Sequence, residues 1–171
     1  MSESASNRTE PVLGDFFAHE VRAAHSGPAW HGAALAENVA GLTAAQAAAH
    51  PIPGAHSVWE IVLHMAGWSD EVHRRLGGRK PSLPDGGDWP SVSEHTEAAW
   101  AGALDRLRRT HLALEEAVRS FPPARWNETI GEHDAPLGTG VTYAGMVSGL
   151  LQHDGYHGGQ IGLLRRALRA G

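Results

Sequence analysis

Residues 100–121 read WAGALDRLRRTHLALEEAVRSF and carry the clearest fold signal in the chain. Apolar side chains and one histidine recur at alternating steps of four and three residues, at Trp100, Leu104, Leu107, His111, Leu114, Val118 and Phe121. Such spacing places them on one face of an α-helix that packs in a bundle. The capping-box sequence SVSE at 91–94 predicts the start of this helix. Pro122 and Pro123 predict its end, because proline cannot continue a helix.

Three further segments have the same helical periodicity. They run from about 11 to 25, from 57 to 77, and from about 142 to 169. The first breaks at 27–28 and continues through Leu35 and Val39. A short turn is expected at 43–49, and the second segment opens with the capping box SVWE at 57–60.

These four helices predict an all-α protein built as a four-helix bundle, with antiparallel or mixed helix directions. Long loops at 77–92 and 122–141 connect them, and the turn-forming sequence DAPLG at 134–138 predicts a short hairpin in the second loop. The polar residues 1–10 are expected to form a disordered lead. Since 171 residues suit one domain, residues 11–171 are expected to form it alone.

Composition and charge exclude several classes of function. The chain has 14 Lys and Arg against 19 Asp and Glu, and this net charge of −5 has the wrong sign for a nucleic-acid-binding protein. Arginine groups such as Arg74 and Arg75 lie near helix ends, where they complement the helix dipole, and are expected on solvated faces. No cysteine is present, which excludes disulfides, thiolate metal sites and a cysteine nucleophile. Neither a secretory signal nor a membrane-spanning run is evident, so we expect a cytoplasmic protein without a membrane partner.

Three of the 12 histidines lie on the apolar faces of two predicted helices. His153 and His157 are one turn apart on the last helix, so both imidazoles can reach one ion at about 2.0–2.1 Å. His64 lies in the middle of the second helix, which a bundle places against the last. The three are candidate ligands of a divalent metal with one open coordination position, or they are core histidines that bond to neighbours. Their spacing differs from the HExxH motif and disfavours a metalloprotease.

Two more residues lie beside the candidate ligands in the predicted bundle. Asp154 is a candidate hydrogen-bond acceptor for a ligand imidazole, a general base, or an ordinary polar contact. His111 lies on the core face of its helix, where a hydrogen-bonded core histidine is favoured over a fourth ligand or a proton shuttle. The other histidines show no ligand spacing and are expected at the surface or in loops. They are His19, His25, His31, His50, His56, His73, His95 and His133.

Two features of the sequence have alternative explanations. Trp89 and Trp126 fall in the two long loops, where each is either a lid over a cleft or an anchor for its loop. The last helix contains six glycines, each of which costs about 0.8–1 kcal/mol relative to alanine. Tight packing, a dimer contact or metal ligation would offset this loss, and the last of these predicts that metal removal destabilises the protein.

Two motifs carry a resemblance to a known family. The sequence WEIVLHMAGW at 59–68 holds one of the three histidines, and QHDGYHGGQI at 152–161 holds the other two. With PAWHG at 28–32 and GLT at 41–43, these motifs resemble the DinB-like (DinB/YfiT-like) superfamily over nearly the whole chain.

This resemblance implies a four-helix bundle, often a homodimer, in which His64, His153 and His157 bind a divalent metal. The metal is usually zinc or nickel, with manganese and iron as alternatives. Relatives of known activity include mycothiol-dependent maleylpyruvate isomerase and bacillithiol S-transferases, in which the metal activates a low-molecular-weight thiol.

The resemblance therefore implies a metal-dependent S-transferase or hydrolase that uses an external thiol or water on a small-molecule substrate. The competing interpretation is a non-enzymatic stress-response protein that holds a structural ion or sequesters a small ligand. An open coordination position that faces a pocket favours the enzyme.

Overall fold

A computed structural model describes residues 13–131 and 140–170 of the chain. Within these residues the chain is all-helical, with no strand, which confirms the predicted fold class. The helices are α1 (Leu13–Ser26), α2 (Leu35–Val39), α3 (Ala44–Ala48), α4 (Val58–Leu76), α5 (Glu97–Ser120) and α6 (Tyr143–Ala170), and a single 3-10 turn spans Pro123–Arg125. No described helix combines the length and the apolar character needed to cross a membrane.

The four long helices form the bundle. Both α1 and α4 pack against α5 and α6, so α1 and α4 occupy opposite corners. Gly14 at the start of α1 lies beside Val118 near the end of α5, which makes these two helices antiparallel. In contrast, Trp59 and Trp100 lie near the starts of α4 and α5 with ring centroids 5.2 Å apart, so these two neighbours run parallel. The bundle has mixed helix directions.

The parallel packing of α4 and α5 dictates the course of the loop between them. A helix of 19 residues is about 28 Å long, and the chain must return over that length before α5 begins. The loop predicted at 77–92 is therefore real, but it extends to residue 96. The predicted helix start at 91–94 is wrong, because this segment is not helical and Val92 packs on the core. Thr96 caps α5 instead, its side chain accepting a hydrogen bond from the Ala99 amide.

The predictions for the first half of the chain largely hold. The region 35–39 forms a separate short helix after a turn in which Gly32 has φ of +117°. The short turn predicted at 43–49 is α3. The capping box that opens α4 is formed, since the Ser57 hydroxyl accepts from the Glu60 amide and the Glu60 carboxylate accepts from the Ser57 amide.

The second long loop is fixed at both ends. Trp126 is buried between Phe17 and Phe121, which identifies it as an anchor for the loop. Further on, the Ile130 amide donates to the Val141 carbonyl at 2.9 Å. The hairpin predicted at 134–138 lies outside the described residues, as do the predicted lead at 1–10 and His133.

Two apolar clusters fill the bundle, and a polar layer lies between them. One cluster centres on Met65, Leu107 and Ile161, and the other on Leu114 and Leu150. Along α5 and α6 the residues that separate the clusters are polar: His111, His153, Asp154 and His157. The candidate site residues therefore lie about halfway along the bundle.

Replacing Gly14 with alanine is expected to lower the free energy of unfolding by about 1–3 kcal/mol. A Cβ at this position meets the backbone oxygens of Val118 and Arg119 at 2.7 and 3.0 Å, so α1 and α5 must separate. The matched control is Gly102→Ala on the exposed face of α5, where a Cβ meets no atom within 4 Å. This control should raise stability by roughly 0.5–1 kcal/mol in urea denaturation. Equal effects of the two substitutions would contradict the packing described.

Candidate metal centre

Two antiparallel helices bring the three predicted histidines together. His64 projects from α4, and His153 and His157 project from successive turns of α6. One nitrogen from each ring lies within 4.8 Å of the other two. Among the described residues, 13–131 and 140–170, these three histidines form the group of His, Asp and Glu side chains that could hold a metal ion.

Hydrogen bonds at Nδ1 determine which nitrogen of His64 and His157 faces the centre. Nδ1 of His64 donates to the Asp88 carbonyl at 2.7 Å, and Nδ1 of His157 donates to Oε1 of Gln160 at 2.6 Å. The Gln160 amide nitrogen donates in turn to the Tyr156 hydroxyl, which orients the amide. Because both Nδ1 atoms carry the proton, both Nε2 atoms offer a lone pair.

His153 completes the arrangement through a neighbouring carboxylate. Its Nδ1 lies 3.6 Å from Oδ1 of Asp154, and both atoms are buried with no hydrogen-bond partner in the described part of the chain. The carboxylate favours a proton on Nδ1, so Nε2 of this ring also presents a lone pair. That atom lies 2.8 Å from Nε2 of His64. Two lone pairs that face each other so closely repel unless a cation lies near both.

Burial keeps two of these rings in the form that binds metals. Desolvation lowers the pKa of His64 by more than the hydrogen bond to the Asp88 carbonyl raises it. Desolvation, followed by the nearby charge of His153, lowers the pKa of His157 to about 4. Both imidazoles are therefore neutral at neutral pH, as a metal ligand must be.

Asp154 also pairs with His111 in the middle of the bundle. Nε2 of His111 donates to Oδ2 of Asp154 at 3.2 Å, and its Nδ1 donates to the Leu107 carbonyl at 3.0 Å. Burial opposes the charge on His111, but the hydrogen bond and charge of Asp154 outweigh it and raise the pKa of the imidazole. Burial likewise opposes ionisation of Asp154, yet the hydrogen bond from His111 and the nearby imidazole of His153 lower its pKa to about 2. The favoured interpretation of His111 as a hydrogen-bonded core residue agrees with these contacts.

Two histidines expected at the surface or in loops make specific ring contacts: His56, which is exposed in a loop as predicted, and His25, which is half-buried at the end of α1. His25 stacks on His111 with ring centroids 4.6 Å apart, and burial followed by the charge of His111 lowers its pKa to about 4. His56 stacks on Trp89 at 3.6 Å with an angle of 4° between the rings. Neither contact leaves a trace in the sequence, because each joins segments that are distant along the chain.

The loop between α4 and α5 covers the outer side of the centre with Asp88 and Trp89. The other face of the Trp89 indole stacks on His64 at 3.9 Å and 7°, so the indole lies between two imidazoles. The side chain of Trp89 remains partly exposed. The carboxylate of Asp88 accepts a hydrogen bond from Nε1 of Trp68 at 2.7 Å. Trp89 is thus positioned as a cover for His64.

A cavity of about 640 Å³ adjoins the centre. His64 and His153 line one part of it, and Gly145 and Gly149 of α6 form another part. The remaining wall is mostly apolar, with Trp68, Val72, Leu83, Val141, Met146 and Leu150. A small molecule in this cavity lies next to the candidate metal ligands.

Arg75 also lines the cavity, and its environment corrects the expectation of a solvated arginine. The residue is buried, and its Nε donates to Glu71 at 2.8 Å. A terminal nitrogen of the same guanidinium donates to the Ser82 carbonyl, while the Ser82 amide donates to Glu71. This buried ion pair attaches the first part of the loop to α4.

Sequence reasoning did not identify Asp88 or Gln160 as acceptors for the histidines. Gln160 lies three residues after His157 on one helix, and that spacing could have revealed it. Asp88 accepts the His64 hydrogen bond through its backbone carbonyl, and its carboxylate lies 3.3 Å from the same nitrogen. It lies in a loop, where no regular spacing connects it to His64.

A comparison with protein-family models finds one match, to the DinB superfamily, over residues 29–161. Neither the curated proteins nor the solved structures contain a chain that matches. The matched region includes all three histidines of the centre.

Replacing Gln160 with alanine is expected to lower the affinity for a divalent ion roughly 10-fold to 100-fold, because the acceptor that orients His157 is lost. The matched control is Gln152→Ala, which removes an exposed glutamine of the same helix that bonds only to Ser148 among the described residues. Competition with a chromophoric chelator measures both affinities. If the two variants bind the ion equally well, the Gln160 contact does not support the centre.

Proposed function

The chain belongs to the DinB superfamily, and from this premise we propose that it binds one divalent metal ion through Nε2 of His64, His153 and His157. The facing Nε2 atoms of His64 and His153, 2.8 Å apart, carry the proposal. Acceptors at Nδ1 of His64 and His157 support it, and a carboxylate faces Nδ1 of His153 at 3.6 Å, since metal-binding histidines regularly donate their second nitrogen to such groups.

The donor set limits the identity of the ion. Three neutral imidazoles suit zinc and nickel, with manganese and iron as weaker candidates, and no thiolate is available from this chain. Three protein ligands leave at least one coordination position open, as in catalytic zinc sites.

We further propose that the centre is catalytic, in an S-transferase or a hydrolase. A bound divalent ion supplies Lewis acidity, which favours the anion of a thiol or of water at neutral pH. The cavity beside His64 and His153 supports this function over that of a non-enzymatic binding protein, because it leaves room for a second reactant. A thiol must come from outside the chain, since the chain has no cysteine.

The chain's own residues have supporting roles in this proposal. Asp88 and Gln160 hold the Nδ1 protons of His64 and His157, so these rings keep one orientation. The Asp154 carboxylate faces Nδ1 of His153 at 3.6 Å, and His111 holds Asp154 in place. Trp89 excludes water from the outer face of His64.

Metal content is the direct test of the centre. Protein purified without an affinity tag should contain close to one equivalent of a divalent metal, and His64→Ala and His153→Ala should each abolish it. His73→Ala is the matched control, because His73 is on the same helix as His64 but outside the centre. Elemental analysis measures all four proteins. A parent that remains free of metal after reloading overturns the proposal and leaves a proton, rather than an ion, between the two facing nitrogens.

Removal of the metal should also lower the melting temperature at constant pH. The ion binds the folded protein through residues of α4 and α6, so its binding energy contributes to stability. The His73→Ala control should show the same chelator effect as the parent, whereas His64→Ala should show none. Equal melting temperatures of the parent with and without chelator would contradict a tightly bound ion.

Activity is tested by incubating the metal-loaded protein with low-molecular-weight thiols and a panel of electrophiles, and separately with esters and amides. We expect metal-dependent consumption of thiol or substrate that His153→Ala loses and His73→Ala keeps. If neither assay shows turnover by protein with full metal content, the catalytic proposal fails while the metal centre stands.

A further inference from the structure

The groove beside the histidines follows one row of residues on α6. Positions 145, 149, 153 and 157 are four residues apart, so they lie along one side of the helix. The row reads Gly, Gly, His, His, and its first three members line the cavity. From Gly145 to His153 the helix rises about 12 Å, which gives the groove its length.

Gly149 leaves the groove open, whereas a Cβ at Gly145 would meet the Thr142 hydroxyl at 3.3 Å. A Cβ at Gly149 meets no atom within 4 Å, and both glycines are exposed. Glycine within a helix costs about 1 kcal/mol relative to alanine, and packing does not require it at Gly149. A larger side chain at this position would extend into the cavity.

Most of the remaining cavity wall is apolar, and part of it is exposed. Leu83 and Val141 are 50% and 41% exposed, although both line a cavity. Exposed apolar groups that surround a concave space are typical of a site for an apolar ligand.

The charged groups of the wall already have partners. Glu71 lies 2.8 Å from Arg75 and balances its charge, and the Asp88 carboxylate accepts from Trp68. The histidine end is therefore the part of the cavity best suited to an anionic head group.

From this arrangement we propose that the cavity binds a small molecule with an elongated apolar body and one metal-binding anionic head. The body lies along Gly145 and Gly149, and the head lies at His64 and His153. Gly149 limits the size of the body and so determines specificity. The position of the head rests on the proposed metal centre, whereas the position of the body rests on the cavity alone.

The test measures binding of straight-chain carboxylates by calorimetry to the zinc-loaded protein. Affinity should rise up to about fourfold per methylene from butyrate to octanoate, since each buried methylene contributes about 0.8 kcal/mol. Gly149→Leu should bind octanoate at least tenfold more weakly and still bind zinc. The control is Gly159→Leu on the exposed face of α6, where a Cβ also meets no atom within 4 Å, and it should bind octanoate like the parent.

Binding of octanol, which has the apolar chain but no anionic head, tests the position of the body separately from that of the head. We expect octanol to bind parent protein with and without zinc, and octanoate to exceed octanol only with zinc. An advantage of longer chains without any effect of zinc supports the apolar groove and overturns the placement of the head. No dependence on chain length, or an unchanged octanoate affinity in Gly149→Leu and Gly149→Ala, overturns the groove.

Discussion

The buried ion pair of His111 and Asp154 constrains the rest of the structure. A carboxylate in the middle of an apolar bundle is stable only when its oxygens have hydrogen-bond donors or a compensating charge. His111 of α5 provides both for one oxygen, and the other oxygen faces His153. This contact fixes the register of α5 against α6 across the bundle. Removal of one partner would leave the other charged and buried, at a cost of about 3–5 kcal/mol. The polar layer is thus both a stability requirement and the support of the candidate centre.

The topology then determines what covers the centre. Because α4 and α5 run parallel, their connection must return along the bundle, and it passes the middle of α4, where His64 lies. The buried pair of Glu71 and Arg75 holds the first part of this connection against α4. Beyond this point the chain brings the Asp88 carbonyl to Nδ1 of His64 and the Trp89 ring to its face. A shorter connection between antiparallel helices would have left the histidine uncovered.

Helical periodicity and capping chemistry were enough to predict the four long helices, the α3 turn and the capping box of α4. The three histidines could be predicted because they lie on regular helices, where residue spacing determines the face on which each side chain lies. The start of α5 could not be predicted, because SVSE at 91–94 has capping chemistry but lies in a non-helical segment in which Val92 packs on the core. The ring contacts of His25 and Trp89 and the burial of Arg75 depend on tertiary packing. None of these produces a local pattern in the sequence.

The three imidazoles differ in how evolution can adjust them. Nδ1 of His64 donates to the Asp88 backbone carbonyl, and the Asp88 carboxylate also lies 3.3 Å from this nitrogen, so a substitution that preserves the loop conformation keeps the hydrogen bond but removes the nearby charge. The acceptor for His157 is the side chain of Gln160, and the Asp154 carboxylate faces His153 at 3.6 Å; a single base change can alter either residue. Asp154 also pairs with His111, so replacing it would destabilise the fold. Replacing Gln160 would change the hydrogen bond to His157, and so the basicity of that imidazole, without loss of the fold. The hydrogen bond of His64 is therefore insensitive to the side chain at position 88, the surroundings of His153 are constrained by stability, and those of His157 are the most open to change.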